Sequence, residues 1–260
     1  MKSLILRGPH AIIDEAGCFT YDESMISEPP SQKILTQLKQ RFASEVLWHF
    51  ASREKSDDES YQILLSILKT GLKVGPQKEQ FKMFNQKTQK VEALDGYPVA
   101  CLADIPLKDL HIHAERYGSF AIGFHKAAAI LNGFNPVLYV NQYSSVFHKF
   151  MGLLDEINQN IERSPETYNR LRNWLASIAK SGDLMASPQA DPKLDHLQMN
   201  NFYYEREWRS LVGWNFKNED VALILLPEGK LTDFVNDRKT SGLRVSETTP
   251  VLPFNLIYNV

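Results

Sequence analysis

Residues 97–124, YPVACLADIPLKDLHIHAERYGSFAIGF, carry the reading that decides the fold. Val99 to Leu102 is a short apolar run of strand character. Pro106 starts a helix that extends to Tyr117, because proline fits a first helical turn and the apolar positions Leu107, Leu110 and Ala114 recur at helical spacing. Gly118 stops that helix, and Phe120 to Phe124 is apolar again and reads as a second strand. Residues with chemistry fall at the junctions: Cys101, Asp104, His113 and Tyr117. His113 and Tyr117 are four apart, so the helix places them on one face, beside the strand ends where sites are commonly assembled.

Working outward, the same alternation continues in both directions. Leu47-Trp48-His49-Phe50 has the β-favouring composition of a strand. After the acidic loop Ser56 to Glu59, the spacing of Tyr61, Leu64, Leu65 and Leu68 predicts a helix that Gly71 ends. Upstream, residues 1–30 read as an arm with weak strand character at Ser3 to Leu6, and Ser31 caps a helix with Ile34, Leu35, Leu38, Phe42 and Val46 on one side. Gly75 to Lys90 is polar and lysine-rich and reads as a solvated loop, with folding over a site as the alternative.

Downstream, His125 to Leu131 is a short helix and Pro136 to Asn141 a strand. Ser144 to about Lys180 is helical, restarted at Ser164-Pro165. Ser181 to Leu197 lacks periodicity and returns the chain. Val221 to Leu226 is a strand, Leu231 to about Arg238 a helix, and Val251 to Tyr258 a last strand. Strands separated by single helices, with a late helical excursion, predict an α+β fold: one domain over 31–260 around a mixed or mostly antiparallel sheet, with a helical insertion at about 144–195.

The totals exclude several classes. The chain has 260 residues, 43% hydrophobic and 23% charged, with a formal net charge of -2, so nothing draws it toward nucleic acid or an anionic membrane at long range. The start, MKSLILRGPHAII, holds too few consecutive apolar residues for a signal peptide or a span, which predicts a cytoplasmic protein with no membrane association. Two cysteines, Cys18 and Cys101, make neither a disulfide framework nor a zinc knuckle. There is no phosphate-binding glycine loop and no nucleophile elbow, so kinase, dehydrogenase and esterase readings lack their anchors.

The chemistry-bearing segment is Asn201 to Trp214, NFYYEREWRSLVGW. In a strand, Tyr203, Glu205, Glu207 and Arg209 share one face. In a helical turn, Glu205 and Arg209 are instead an ordinary i,i+4 ion pair. Two carboxylates beside aromatic rings suit cleavage of a glycosidic bond through an oxocarbenium-like transition state, which an ionised carboxylate stabilises. A surface ladder of opposite charges is the plain alternative. His49 would donate a hydrogen bond to a ribose or phosphate, with Trp48 or Tyr117 as a stacking face. His111 and His113 cannot share a metal in a helix, where residues two apart diverge by about 200°, and no metal is expected. Asp104 reads as the N-cap of the central helix, and Cys101 as a packed small side chain.

Taken together, Leu47 to Phe50, Ile63 to Leu72 (ILLSILKTGL), Val99 to Pro106 (VACLADIP), His113 to Gly118 with Ile122-Gly123-Phe124 and Lys126, Pro136 to Val140, and Phe202 to Arg209 (FYYEREWR) resemble the abortive-infection antitoxin family AbiGi. The match runs in that family's order over about residues 46 to 260 and departs from it at Leu102 and Ala103 and in the N-terminal arm. The resemblance implies a bacterial antiphage protein with a toxin or other defence-system partner. The opening His-Phe strand and its helix are also similar to ADP-ribosyltransferase-like folds of the DarT group. That likeness implies NAD as substrate: His49 holding it with His113, Tyr117 stacking on a ring, Glu207 catalytic, and Glu205 with Arg209 orienting the acceptor or Glu207. A non-catalytic antitoxin that neutralises a partner toxin is the alternative, and a nuclease using His49, His113 and Glu207 a third reading that would need a basic groove.

Overall fold

The computed structural model describes residues 11–13, 19–21, 44–51, 55–77, 81–85, 90–141, 144–149, 152, 165–182 and 202–259. The chain divides into two compact units, Met1–Arg41 and Phe42–Val260. In the first, β1 (Ala11–Ile13) pairs antiparallel with β2 (Phe19–Tyr21). The expected strand at Ser3 to Leu6 and the helix from Ser31 lie outside the described residues.

The second unit is built on β3 (Val46–Phe50), β6 (Ala100–Ala103), β7 (Ala121–His125), β8 (Asn135–Pro136), β11 (Glu207–Ser210), β12 (Val221–Leu226) and β13 (Val251–Pro253). These form one seven-stranded sheet in the order β13-β12-β7-β3-β6-β11-β8. Only β12 and β13 run parallel; every other neighbouring pair is antiparallel. The edge strands β8 and β13 are short and each contains a proline, Pro136 and Pro253, which lack the N–H that a further strand would use.

The helices cover the sheet from two sides. α1 (Asp57–Thr70) starts with a capping box: Ser56 accepts from the Glu59 backbone, and the Glu59 carboxylate accepts from the Ser56 backbone. Its buried stripe, Tyr61, Leu64, Leu65 and Leu68, follows the i, i+3, i+4, i+7 spacing and packs on Leu47, Leu102, Ile122, Phe124 and Ile224. Gly71 ends it at φ +90, a conformation other residues rarely adopt, and a Cβ there would lie 2.7 Å from the Trp214 carbonyl oxygen.

α3 (Lys126–Leu131) and α5 (Leu231–Thr240) send Ala129 and Phe234 to this same apolar face. On the opposite face, α2 (Leu110–Tyr117) and the 3-10 turn Phe254–Asn259 pack Leu110, Phe254 and Ile257 on Trp48, Ala103 and Leu225. Successive residues thus alternate between two cores: Leu47 and Trp48, Leu102 and Ala103, Ile224 and Leu225.

Outside the main sheet, β4 (Phe81–Asn85) and β5 (Lys90–Leu94) form a hairpin where the sequence predicts a loop. β9 (Leu138–Asn141) pairs in parallel with β10 (Ala179–Gly182), so the expected strand from Pro136 divides, one half to each sheet. α4 (Pro165–Ile178) starts on the anticipated proline but stops before Lys180, which belongs to β10. The helix expected from Pro106 is a 3-10 turn, Leu107–Asp109, leading into α2, and the last strand is three residues long before its 3-10 turn. Among the described residues, no helix is long and apolar enough to cross a membrane.

Candidate functional site

A cavity of about 290 Å³ opens on the α2 side of β3, β6 and β11. His49, His113, Tyr117, Glu205, Glu207 and Arg209 all line it, so the six residues singled out from the sequence converge. The alternation that sends Leu102 and Trp208 to the α1 face sends Ala103 and Glu207 to this one, because β11 pairs Glu207 with Ala103 and Arg209 with Cys101.

Glu205 reaches the cavity by a different route from the one expected. The segment Phe202–Glu205 is a 3-10 turn, and the strand begins only at Glu207. Arg206 between them has φ +43, a left-handed conformation unfavourable for a side-chain-bearing residue. The Asp104 backbone N–H donates to the Arg206 carbonyl at 2.9 Å, and the Arg206 guanidinium lies 3.5 Å from the Asp104 carboxylate. Asp104 therefore holds this turn and pairs with Lys126 at 2.7 Å, and makes no helix cap.

The two glutamates share an ammonium. Lys180 Nζ contacts Glu205 Oε2 and lies 2.7 Å from Glu207 Oε2. Arg209 Nη2 is 3.1 Å from the same Glu207 oxygen, while its Nη1 donates to Gln77 Oε1 at 3.0 Å and to the Ser177 carbonyl at 2.9 Å. Tyr117 donates to Glu205 Oε1 at 2.7 Å, with Arg116 3.4 Å from that oxygen. Lys180, Glu205, Glu207 and Arg209 are all buried.

Burial works against a charged Glu207, but Lys180 and Arg209 outweigh it and hold the carboxyl at about 2. Glu207 is thus ionised at neutral pH, able to accept a hydrogen bond or face a cation and unable to serve as an acid. Burial and the adjacent Glu207 push the Cys101 thiol well up, so it is not a thiolate nucleophile.

The aromatic wall comes from α2 and β3. His113 and Tyr117 stack at 4.3 Å with an interplanar angle of 20°, and Phe50 packs on His113 at 4.8 Å. Burial lowers His113 to about 4 and raises Tyr117, so both rings are neutral at physiological pH. His111, two residues away on the helix, bonds the Lys108 carbonyl instead.

β3 and β6 share only the pair Trp48–Ala103, and where they part His49 Nδ1 sits 3.0 Å from the Cys101 carbonyl oxygen. A carbonyl only accepts, so Nδ1 carries the proton. Burial lowers the pKa of His49. The ring therefore presents Nε2 as an acceptor, where the sequence reading had a donor.

Lys180 and Gln77 were not found from sequence. Lys180 follows fourteen helical residues and reads as a cation at a helix end. Gln77 lies in a segment that reads as solvated loop. Neither carries a local pattern that points inward.

Fold and site together define an α+β protein with a buried pair of glutamates, of which Glu207 is held ionised, lining an aromatic-walled cavity. A family model described as abortive phage resistance protein AbiGi, antitoxin, matches residues 73–239, and the chain belongs to that family. It is also similar to the "Abortive phage resistance protein AbiGi" of Lactococcus lactis subsp. cremoris, with 29% identity over 139 residues. That stretch covers 49% of this chain and 55% of the relative, so the chain spans about half the length of the curated relative it matches. No solved structure matches.

Proposed function

We propose that this chain serves abortive phage resistance through an ADP-ribosyltransferase-like domain whose cavity binds NAD or a related nucleotide. The observation that carries this reading is Glu207, held ionised at about 2 beside a wall of neutral rings. A cavity of about 290 Å³ is at the small end of ligand sites, which span about 300–1,000 Å³. It suits the nicotinamide-ribosyl end of NAD rather than the whole dinucleotide.

In the reaction this supports, the bond between ribosyl C1 and nicotinamide nitrogen breaks and the bonding pair leaves with nicotinamide. The acceptor's lone pair forms the new bond to C1, and the acceptor's proton passes to water. Glu207 accepts a hydrogen bond from a ribose hydroxyl and faces the developing cation. Lys180 and Arg209 fix its orientation and charge, and Tyr117 with His113 stacks on the departing ring.

Nicotinamide release from NAD by purified wild type and Glu207→Gln tests this. The variant is expected to lose turnover by at least about a hundredfold, the usual scale for one preorganised electrostatic group, with its circular dichroism unchanged. Equal release from the two proteins would remove the enzymatic claim.

A second reading, an antitoxin that neutralises a partner toxin without catalysis, draws on the family description and on the pairing of both carboxylates with the chain's own cations. Under it, the network fixes the core, and Tyr203 and Tyr204, 58% and 56% exposed on the turn before Glu205, belong to the partner-facing surface. The two readings separate on heat stability with NAD. A ligand at a hundred times its Kd adds about 2.7 kcal/mol, and no shift alongside co-purification with the product of the adjacent gene favours the antitoxin.

A further inference from the structure

The cavity sorts charge along its depth. Three of the described residues lining it are cationic: Lys73, Lys180 and Arg209. Lys180 and Arg209 are buried and committed to the glutamates. Around them stand groups that accept or lack charge: the Glu207 carboxylate, His49 Nε2, and the stacked faces of His113 and Tyr117. A phosphate pushed to this floor would meet carboxylates and an imidazole lone pair, and would compete with Glu205 and Glu207 for their cations. A hydroxyl or carboxamide would instead donate to His49 Nε2 or Glu207.

Lys73 stands at the mouth and is exposed. Its backbone is pinned on both sides, by the bridges Leu72 to Trp214 and Gly75 to Val99. A Cβ on Gly213 would lie 3.6 Å from Lys73 Cα, so a glycine on the neighbouring segment lets the two chains approach this closely. The Lys73 backbone is thus fixed beside the cavity, and its ammonium reaches out from it on a flexible stem.

We propose that the cavity binds a nucleoside 5′-monophosphate unit head first, with its phosphate-free ribosyl and carboxamide or base end on His49 and Glu207 and its phosphate outside against Lys73. This rests on the nucleotide reading given above and adds the polarity of entry. It makes His49 a reader of ligand donors and Lys73 the phosphate contact.

The test uses nicotinamide riboside and nicotinamide mononucleotide, which differ by one phosphate, titrated calorimetrically into the full chain and into Lys73→Met. Wild type should prefer the mononucleotide by about two- to fivefold, the effect of one exposed charge pair. Lys73→Met should abolish that preference and leave riboside affinity unchanged. A preference that survives in Lys73→Met, or a riboside affinity that falls equally, overturns the proposal while leaving nucleotide binding intact. Failure of both ligands to bind wild type overturns the nucleotide reading itself and this inference with it. The nitrogen-15 spectrum of the His49 ring, which needs no variant, should show the Nδ1–H neutral tautomer at pH 7. An Nε2–H tautomer or a charged ring there would overturn the donor-reading role.

Discussion

The two faces of the central sheet are stabilised by opposite means. Toward α1 the sheet meets a mainly apolar cluster, in which Leu47, Leu64, Leu68, Phe120, Ile122 and Phe124 are fully buried. Toward α2 the same strands bury two carboxylates, an ammonium and a guanidinium against a cavity. An apolar face gains from area removed from water and tolerates rearrangement. The charged face is stable only while each ion keeps its partners, because removing one leaves the other uncompensated. Such an arrangement adds little to stability for its size.

Lys180→Met is the strongest way to break that contrast. It leaves Glu205 and Glu207 facing each other without the shared ammonium, so about 3–5 kcal/mol should be lost at pH 7. Glu207, held at about 2 in the native protein, should titrate higher, so the variant should recover part of its deficit as the pH is lowered toward 5. Urea denaturation at pH 5 and 7 measures both. A loss below about 1 kcal/mol would mean that the network is hydrated and contributes like a surface ion pair.

On the opposite face, Leu64→Ala removes a fully buried side chain of α1 and should cost about 2–4 kcal/mol from lost burial and the remaining void. Unlike Lys180→Met, its cost should be the same at pH 5 and 7, since Tyr61, the titrating residue of that cluster, has its hydroxyl pushed up by burial and stays protonated at both. A pH-dependent penalty would show that the two faces are coupled through the sheet, and the contrast would fail.

The elements with a strong local pattern were legible in the sequence: β3, α1 with its glycine stop, β7 and β12. Each has an apolar period or a cap that is determined by nearby residues. The turn at Glu205 was not, because its shape depends on Arg206 adopting positive φ under the hold of Asp104, a residue about a hundred positions away in sequence. The β4–β5 hairpin was hidden for a related reason: it lies in a polar segment whose pairing has no apolar alternation to announce it. Six cavity-lining residues could be named because paired carboxylates, a strand histidine and a His–Tyr pair at helical spacing stand out locally. Lys180 could not, since a lysine after a helix has an ordinary explanation, and its inward course is imposed by the parallel pairing of β10 with β9.

His113 offers the finest probe of the charged face. Its folded-state pKa of about 4 lies below the ordinary 6.5 because burial disfavours the imidazolium, with Glu205 only partly offsetting this. The unfolded chain therefore binds the proton first, so stability is full above pH 6.5 and falls as the pH drops toward 4. Between pH 7.5 and 5.5 the contribution from this ring is about 1.4 kcal/mol. His113→Phe keeps an aromatic ring against Phe50 and Tyr117 and removes the titration, so its loss of stability over that interval should be smaller than that of wild type by about this amount. Glu207 does not interfere, because it titrates well below the interval, and His49 cancels in the difference between the two proteins. Equal slopes for wild type and variant would mean that water reaches the ring freely, and the aromatic wall would then be an open surface rather than the dry side of a binding cavity.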